Sequence, residues 1–160
     1  MPTPEFILSL REHIGTAPLW LSGVTAVVRR EDGAVLLVER ADNGRWTSVS
    51  GIIDPGEEPA DAAEREVLEE AGVVAVAERL VWVHVLPPHT WPNGDQAQFL
   101  DLVFDCRYVS GDPYPADGEN TRAGWFTLDD MPELWGRHRE TIERAFSDDP
   151  ATRFERRGPH

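Results

Sequence analysis

Residues 80–86 read LVWVHVL and are apolar at nearly every position. A β-strand with one face in water alternates apolar and polar side chains, whereas a strand covered on both faces has a nearly continuous apolar run. Pro87 and Pro88 end the run, because proline has no backbone N–H to donate to a sheet. The segment therefore predicts an interior strand and not a half-exposed one.

Five further segments have the pattern of β-strands, and the first two flank Glu31-Asp32-Gly33, which favours a hairpin turn. The predicted strands are residues 24–28, 35–40, 49–53, 98–109 and 125–126. In residues 98–109 apolar side chains alternate with polar ones, so we expect one buried side and one polar side. Residues 89–96 and 111–124 are predicted loops, because proline, glycine and polar side chains dominate them.

Three segments are predicted helices. Residues 4–14 place apolar side chains at helical spacing and end at Gly15. Residues 60–71 contain only good helix formers, follow a proline that a first helical turn tolerates, and end at Gly72. The third helix is residues 137–146. Strands mixed with two longer helices favour an α+β fold or a mixed-sheet α/β sandwich.

The 160 residues are expected to form one core. We expect a helix and linker over residues 1–16, the main domain over residues 17–146 and a mobile tail over residues 147–160. The tail, SDDPATRFERRGPH, has little apolar surface to bury.

The chain is strongly acidic, with 29 Asp and Glu against 15 basic residues, all arginine, and a formal net charge of −14. Duplex DNA or RNA is therefore a disfavoured partner, because nonspecific phosphate binding needs a basic surface. A small polyphosphate is compatible with this charge where a metal cation reverses the local field. The absence of lysine excludes it as a nucleophile or P-loop residue.

Cysteine content and hydropathy limit the class of protein further. Cys106 is the single cysteine, so it cannot form an internal disulfide or anchor a zinc cluster by itself. On an apolar strand face it is expected to be a core residue. The sequence contains no run of about 18 apolar residues and no signal-peptide pattern, so we expect a cytoplasmic protein without a membrane partner.

The chemistry is concentrated in residues 51–73, GIIDPGEEPADAAEREVLEEAGV. Glu66, Glu69 and Glu70 lie at i, i+3 and i+4, so their carboxylates share a helix face, with Glu70 closest to the apolar side and Glu66 next. Like charges at this spacing cost roughly 0.2–0.5 kcal/mol per pair. A divalent cation such as Mg²⁺ or Mn²⁺ would offset the repulsion, and Glu57 on the preceding turn could reach it. A solvated acidic helix face is the alternative.

The same segment matches the pattern Gx5Ex7REUxEExGU, in which U is aliphatic, at every fixed position. The matching residues are Gly51, Glu57, Arg65, Glu66, Val67, Glu69, Glu70, Gly72 and Val73. This pattern resembles the Nudix box, and the chain is similar to Nudix hydrolases from about residue 24 to residue 134. The resemblance implies an α/β/α sandwich around a mixed β-sheet, in which the box forms a loop–helix–loop. Residues 17–146 are then the Nudix domain.

The resemblance also implies a reaction, the hydrolysis of a nucleoside diphosphate linked to another group. Water attacks a phosphorus of the pyrophosphate, with metal ions and a carboxylate supplying charge neutralisation and deprotonation. By this resemblance Glu66, Glu69 and Glu70 hold Mg²⁺, or Mn²⁺ in its place, and Glu57 assists. Arg65 is expected to orient the acids.

Two further roles are expected within and beyond the box. Gly51 and Gly72 are expected to be structural. Glu66 or Glu69 is the first candidate for the general base. Glu119, in the loop before Trp125, is the second candidate, with an exposed loop acid as its alternative interpretation.

Candidate substrate contacts are Arg40, Trp46, Pro88 and His89. Arg40 follows a predicted strand and could contact phosphate, although a surface arginine at a strand end is equally typical. Trp46 could stack on a base, as could Trp91, although aromatic residues are more often part of a core or interface. Pro88 lies 15 residues after Val73, a placement that resembles ADP-ribose pyrophosphatases of the family.

Two histidines are distinguished by their positions. His84 lies inside the apolar strand and is expected to be a hydrogen-bonded core residue. His89 lies in the predicted loop and is the better ligand candidate.

One departure from the family pattern leaves the reaction open. Ser50 replaces the first of two glycines that often precede the acids, and the run from Trp46 to Gly51 resembles isopentenyl-diphosphate isomerases. Those relatives have a cysteine near this point, whereas the cysteine here is distant. We therefore favour hydrolysis over isomerisation, and an active enzyme over a nucleotide-sensing module, because all the box glutamates are present.

ADP-ribose or a nucleotide sugar is the favoured substrate. Nucleoside triphosphates and dinucleoside polyphosphates are the alternatives. A homodimer is compatible with the sequence, and the helix over residues 4–14 is a candidate contact.

Overall fold

The computed structural model describes residues 3–158, so residues 1, 2, 159 and 160 of the predicted terminal segments lie outside it. Within that range the chain forms three helices and nine strands. The helices are α1 (Glu5–Ile14), α2 (Pro59–Ala71) and α3 (His138–Ala145). The strands are β1 (Leu19–Arg29), β2 (Val35–Arg40), β3 (Trp46–Thr47), β4 (Val49–Ile52), β5 (Val74–Val85), β6 (His89–Thr90), β7 (Gln96–Ser110), β8 (Asn120–Phe126) and β9 (Arg153–Phe154).

These strands form one mixed sheet. β1 runs parallel to β7 along its whole length, and β7 pairs antiparallel with β5. The order across the sheet is β3-β2-β1-β7-β5-β9, while β4, β6 and β8 pair with β1, β7 and β2 respectively. The mixed sheet confirms the α/β fold class that the resemblance implied.

Helices α2 and α3 cover two separate apolar clusters of the sheet. α2 packs through Val67 into a cluster that contains Cys106, which confirms the core position expected for this cysteine. α3 packs Ile142 into a second cluster with Trp82. Trp82 has no exposed surface, as predicted for the interior strand, and within the predicted segment 80–86 only Val85 is exposed.

The polar side expected for the strand at residues 98–109 is exposed at Arg107, as predicted, but buried at Asp101 and Asp105, so the prediction was wrong for these two residues. Asp101 and Asp105 are only 3% and 5% exposed. Asp105 accepts hydrogen bonds from Arg29 and Arg79, and Arg79 also donates to the Ala145 carbonyl at the end of α3. Burial of the carboxylate is tolerated because it is paired. Alternation alone does not show that a distant helix covers the second face.

Several strands extend beyond their predicted ends. β1 begins at Leu19 and β7 at Gln96, because the two strands pair with each other from Leu19 opposite Ala97 onward. The predicted loop at residues 89–96 contains β6, and β8 begins inside the predicted loop at residues 111–124. Pairing with a neighbour supplies backbone hydrogen bonds that local composition does not reveal.

The C-terminal segment contains a short ordered element. Strand β9 pairs parallel with β5, and Arg144 donates to the backbone carbonyl of Ala151. The mobility of residues 147–160 as a whole stays a prediction. Among the described residues, no helix combines the length and the apolar composition needed to cross a bilayer.

Candidate active site

The site is built where β4 leads through a turn into α2. Gly51 lies on β4, directly against the side chain of Glu66 on α2. A Cβ atom at position 51 would lie 2.0 Å from Cδ of Glu66, far inside van der Waals contact. Glycine at this position therefore leaves room for a buried glutamate, which gives the structural role expected for Gly51 a physical reason.

Gly72 ends α2 in the left-handed conformation, with φ at 65°, and its N–H donates to the Leu68 carbonyl. This is the usual glycine termination of a helix. A Cβ atom here would lie 2.1 Å from the Tyr114 ring, because the segment before β8 packs against the end of α2. Gly72 therefore permits both the end of the helix and the close approach of that segment.

Arg65 lies at the centre of the acidic residues. Its guanidinium donates to both carboxylate oxygens of Glu57, at 2.7 and 2.9 Å, and to Oε1 of Glu66 at 2.8 Å. It also donates to Glu69 at 3.3 Å and to the Ile52 carbonyl at 3.1 Å. These bonds raise the pKa of Arg65, and the bond to Glu57 lowers the pKa of that carboxyl. The arginine thus joins the turn and the helix.

Glu66 is the most deeply buried of the acids, with no exposed surface. One carboxylate oxygen accepts from Arg65, whereas Oε2 is buried and has no hydrogen-bond partner among the described residues. Burial raises the pKa of Glu66 to about 7 against the lowering effect of Arg65. A buried oxygen without a partner costs free energy in a folded protein, so it marks a place where a donor or cation would be stabilising.

Glu70 lies on the buried side of α2 and is 5% exposed. Its Oε2 accepts a hydrogen bond of 3.1 Å from the side-chain amide of Asn120 on β8. Burial raises the pKa of Glu70 to about 8, and the fields of Glu66 and Glu119 add to this effect. Asn120 was missed in the sequence, because nothing local distinguishes it from the other polar residues of a predicted loop.

The carboxylates of the site are suitable ligands for a divalent cation, although in this conformation they are not arranged around a common point. No three His, Cys, Asp or Glu side chains within residues 3–158 lie close enough together to hold an ion. The guanidinium of Arg65 pairs with carboxylate oxygens of Glu57, Glu66 and Glu69. Glu69 also faces solvent, with 40% of its side chain exposed. The free buried oxygen of Glu66 and the acceptor-only chemistry of the carboxylates are what a hard cation such as Mg²⁺ requires.

An open cleft of about 820 Å³ adjoins Glu69, the exposed acid of the box. Glu69, Asp54 and Asp117 line one side, and the first turn of α1 lines the other through residues such as Glu5 and Leu8. Volumes of roughly 300–1,000 Å³ are typical of small-molecule sites. The N-terminal helix therefore forms a wall of the candidate site.

Glu119 is held beside Glu70 by the backbone. Its carbonyl accepts from the Ala41 N–H at 2.8 Å, and it is followed by Asn120, which bonds to Glu70. Its negative charge raises the pKa of Glu70 and of Arg40. The structure therefore brings the second candidate for the general base near the helix acids, and its role stays a prediction.

The predicted substrate contacts lie at different distances from the acids. Arg40 lies within the field of Glu70 and Glu119 and is paired with Asp42 at 2.9 Å. Trp46 packs its ring against Phe126, with 5.0 Å between ring centroids.

The residues after β5 form a separate group. Pro88 and His89 are exposed, and His89 contacts the edge of Trp91 at 4.6 Å. Trp91 in turn packs against Phe99 in the apolar cluster beneath α1. No contact joins this group directly to the glutamates among the hydrogen bonds and ring contacts of the described residues.

His84 is a buried, hydrogen-bonded core residue, as predicted. It is 3% exposed, and its Nε2 lies 3.0 Å from Oδ2 of Asp101. Asp101 also accepts from the Thr25 hydroxyl, and the His84 ring stacks on Trp82 at 4.1 Å. These contacts account for His84 without a ligand.

Comparisons with known proteins agree with the geometry. Residues 20–145 match the NUDIX domain family. A MutT-like protein of Streptomyces ambofaciens is 32% identical over 126 residues, which cover 79% of this chain and 76% of that protein. The NAD-capped RNA hydrolase NudC of Chromobacterium violaceum is 34% identical over 112 residues, 68% of this chain but only 38% of that protein.

Among solved structures, an ADP-ribose pyrophosphatase from Streptococcus suis is 28% identical with a TM-score of 0.64. The alignment covers 84% of this chain and 98% of that one. The matched family region contains β1 to α3 and all the acids of the site. The chain therefore belongs to the NUDIX family and is a Nudix pyrophosphohydrolase.

Proposed function

We propose that the chain hydrolyses the pyrophosphate bond of a nucleoside diphosphate linked to another group, with Mg²⁺ held by Glu66, Glu69 and Glu70 and assisted by Glu57. The observation that carries this proposal is the fully buried Glu66, whose Oε2 has no partner among the described residues. Bound Mg²⁺ would neutralise charge on the phosphate oxygens and favour an attacking hydroxide. Mn²⁺ has similar ligand preferences and is the alternative ion.

The chain's own residues divide the remaining tasks. Arg65 holds Glu57 and Glu66 in one arrangement through bonds of 2.7 to 2.9 Å. Glu66 or Glu69 takes the proton of the attacking water. Without a metal ion, burial raises the pKa of Glu66 to about 7, and bound Mg²⁺ would lower it, whereas Glu69 is exposed to the cleft. Glu119 is the second candidate.

ADP-ribose or a nucleotide sugar is the substrate class we favour. The structural likeness to the Streptococcus suis ADP-ribose pyrophosphatase and the position of Pro88 support this choice. We propose that Arg40, which lies in the electrostatic field of Glu70 and Glu119, contacts a substrate phosphate after it leaves Asp42. We propose Trp46 and His89 as contacts to the remainder of the substrate.

A second candidate substrate is a dinucleotide such as NAD. The relatives named NAD-capped RNA hydrolase favour it, since NAD contains a pyrophosphate between two nucleosides. This chain spans about two fifths of the length of those relatives. Nucleoside triphosphates and dinucleoside polyphosphates complete the panel to be tested.

The deciding experiment measures product release from ADP-ribose, a UDP-sugar, NAD, a nucleoside triphosphate and a dinucleoside polyphosphate, with Mg²⁺ and with EDTA. We expect Mg²⁺-dependent hydrolysis, fastest with ADP-ribose or the UDP-sugar. The Glu69→Gln variant should lose about 10²-fold or more of the activity. Glu143→Gln, an exposed residue on α3, is the matched control and should retain it.

Other outcomes identify the alternatives. Equal product release by the wild type and Glu69→Gln would show that the box is not the active site. Nucleotide binding without turnover of any substrate would indicate a sensing module. Interconversion of prenyl diphosphates would indicate an isomerase.

A further inference from the structure

Asn120 is the first residue of β8 and is 5% exposed, although it follows an exposed loop. Its side-chain Nδ2 donates a hydrogen bond of 3.1 Å to Oε2 of Glu70. We propose that Asn120 is a positioning residue that orients Glu70 toward the divalent cation. This inference rests on the proposed function, since it assumes that Glu70 is a cation ligand.

The fold holds Asn120 against Glu70 from two sides. The loop before β8 is bound to the end of α2, with the Ala116 N–H donating to the Glu70 carbonyl at 3.1 Å. On the other side, the Ala41 N–H donates to the Glu119 carbonyl. The segment that leads into Asn120 is therefore hydrogen-bonded, through Ala116, to the same helix that carries the side-chain partner of Asn120.

The pairing of β8 with β2 is irregular at this point. The register shifts between Glu39 and Arg40, and Arg40 lies opposite Asn120 after the shift. Irregular pairing of this kind redirects a side chain relative to a regular strand, and it is frequent beside active sites. Here the side chain at position 120 is directed into the interior, whereas Thr121 and Arg122 are exposed and bind Glu39.

A neutral donor suits the task better than a charged one. The charged side chains that act on Glu70 include Glu66, Glu119 and Asp117, all acidic, so a hydrogen-bond donor is a favourable neighbour for its carboxyl group. An amide supplies a hydrogen bond without adding a cation that would repel a metal ion. By binding Oε2, Asn120 restricts rotation of the carboxylate and leaves Oε1 for another partner. Partners of metal ligands act in this way, and their loss typically weakens metal affinity 10–100-fold.

The test measures Mn²⁺ affinity by electron paramagnetic resonance, without substrate, for the wild type, Asn120→Leu, Asn120→Ala and Thr121→Val. Leucine is close to asparagine in size and lacks the donor, so it separates the hydrogen bond from packing. We expect the dissociation constant to rise 10–100-fold in both Asn120 variants and to be unchanged in Thr121→Val. Urea unfolding in EDTA checks that each variant unfolds cooperatively.

Each outcome decides between the two levels of the proposal. No Mn²⁺ binding by the wild type would remove the proposed function and this inference with it. Tight binding by the wild type and equally by Asn120→Leu would overturn the inference alone. Weak Mn²⁺ binding by Asn120→Ala with normal Mn²⁺ binding by Asn120→Leu would show that Asn120 acts through packing, against the proposal. Weak Mn²⁺ binding by Thr121→Val would show that a disturbed strand is enough to weaken the site, which also contradicts the proposal. Where Asn120→Leu does not fold, Asn120→Ala decides, and wild-type affinity there overturns the inference.

Discussion

The buried carboxyl of Glu70 makes the stability of the metal-free protein depend on pH in a way that one substitution should remove. Burial raises its pKa from 4.5 to about 8, so the folded state holds a proton that the unfolded state releases above pH 4.5. Because the folded state binds more protons between these values, its free energy of unfolding falls as pH rises from 4.5 to 8. Glu70→Gln cannot ionise and retains an oxygen that accepts from Asn120.

The magnitude follows from the size of the pKa change. Each tenfold change in proton affinity corresponds to about 1.4 kcal/mol, so Glu70 lowers wild-type stability by roughly 1 kcal/mol at pH 5.5 and by roughly 5 kcal/mol at pH 8.5. Structural relaxation and coupling to Glu66 reduce the change, so we expect the advantage of Glu70→Gln to grow by about 1–3 kcal/mol over this range.

Urea unfolding in EDTA at pH 5.5 and pH 8.5 measures this difference, because titrating groups that do not interact with Glu70 contribute equally to both proteins and cancel. Adding Mg²⁺ at pH 8.5 should reduce the advantage of the variant, since an ion that binds only the folded wild type stabilises it. Glu143→Gln is the control and should show no such pH dependence, because its side chain is exposed. A difference between wild type and Glu70→Gln that is equal at both pH values would refute the reasoning.

Three other substitutions test separate parts of the structure. Gly51→Ala should destabilise the protein by about 1–3 kcal/mol and reduce hydrolysis, because the added Cβ atom would lie 2.0 Å from the Glu66 side chain. Urea unfolding measures the loss of stability, and the substrate assay measures the loss of hydrolysis. The His138 ring accepts a hydrogen bond from the Ser48 N–H, and burial lowers the pKa of His138 to about 4. As pH drops from 6.5 to 5, the free energy of unfolding of the wild type should therefore fall by roughly 2 kcal/mol relative to that of His138→Gln. An unchanged difference between the two proteins would contradict this. Arg79→Met should lower the free energy of unfolding by about 1–3 kcal/mol, because Arg79 binds Asp105 and the end of α3. Its kcat should stay at the wild-type value, because Arg79 forms its hydrogen bonds with Asp105 and with backbone carbonyls of residues 145–149 and not with the candidate site acids.

Much of the architecture was accessible from local patterns. The helix of the box, its start at a proline and its end at Gly72 depend on residues that are neighbours along the chain, and α2 was predicted to within one residue. The placement of Glu70 and Glu66 on the interior side of the helix follows from helical periodicity and agrees with the structure. The predicted order between them was wrong, because Glu66 has no exposed surface and Glu70 is 5% exposed. The strand at residues 80–86 was also recognisable, because continuous apolar character has a local signature.

Elements that depend on a distant partner were not accessible in this way. β8 begins inside a segment rich in glycine and proline, and it extends beyond the predicted strand at residues 125–126 because β2 offers partners to Asn120 and to residues 122–126. Asp101 and Asp105 looked solvent-facing by alternation, yet α3 and two arginines cover that side of the sheet.

The amino-acid sequence by itself determined the family, the acidic helix and which glutamates belong to the box, because these features depend on residue type and short-range spacing. Only the tertiary structure decided how those glutamates are partnered. Arg65 joins Glu57 to the helix, and Asn120 reaches Glu70 from a position 50 residues away. The physical reason is that hydrogen bonds and burial act through space, so the environment of a buried carboxylate depends on side chains that approach from other strands and loops.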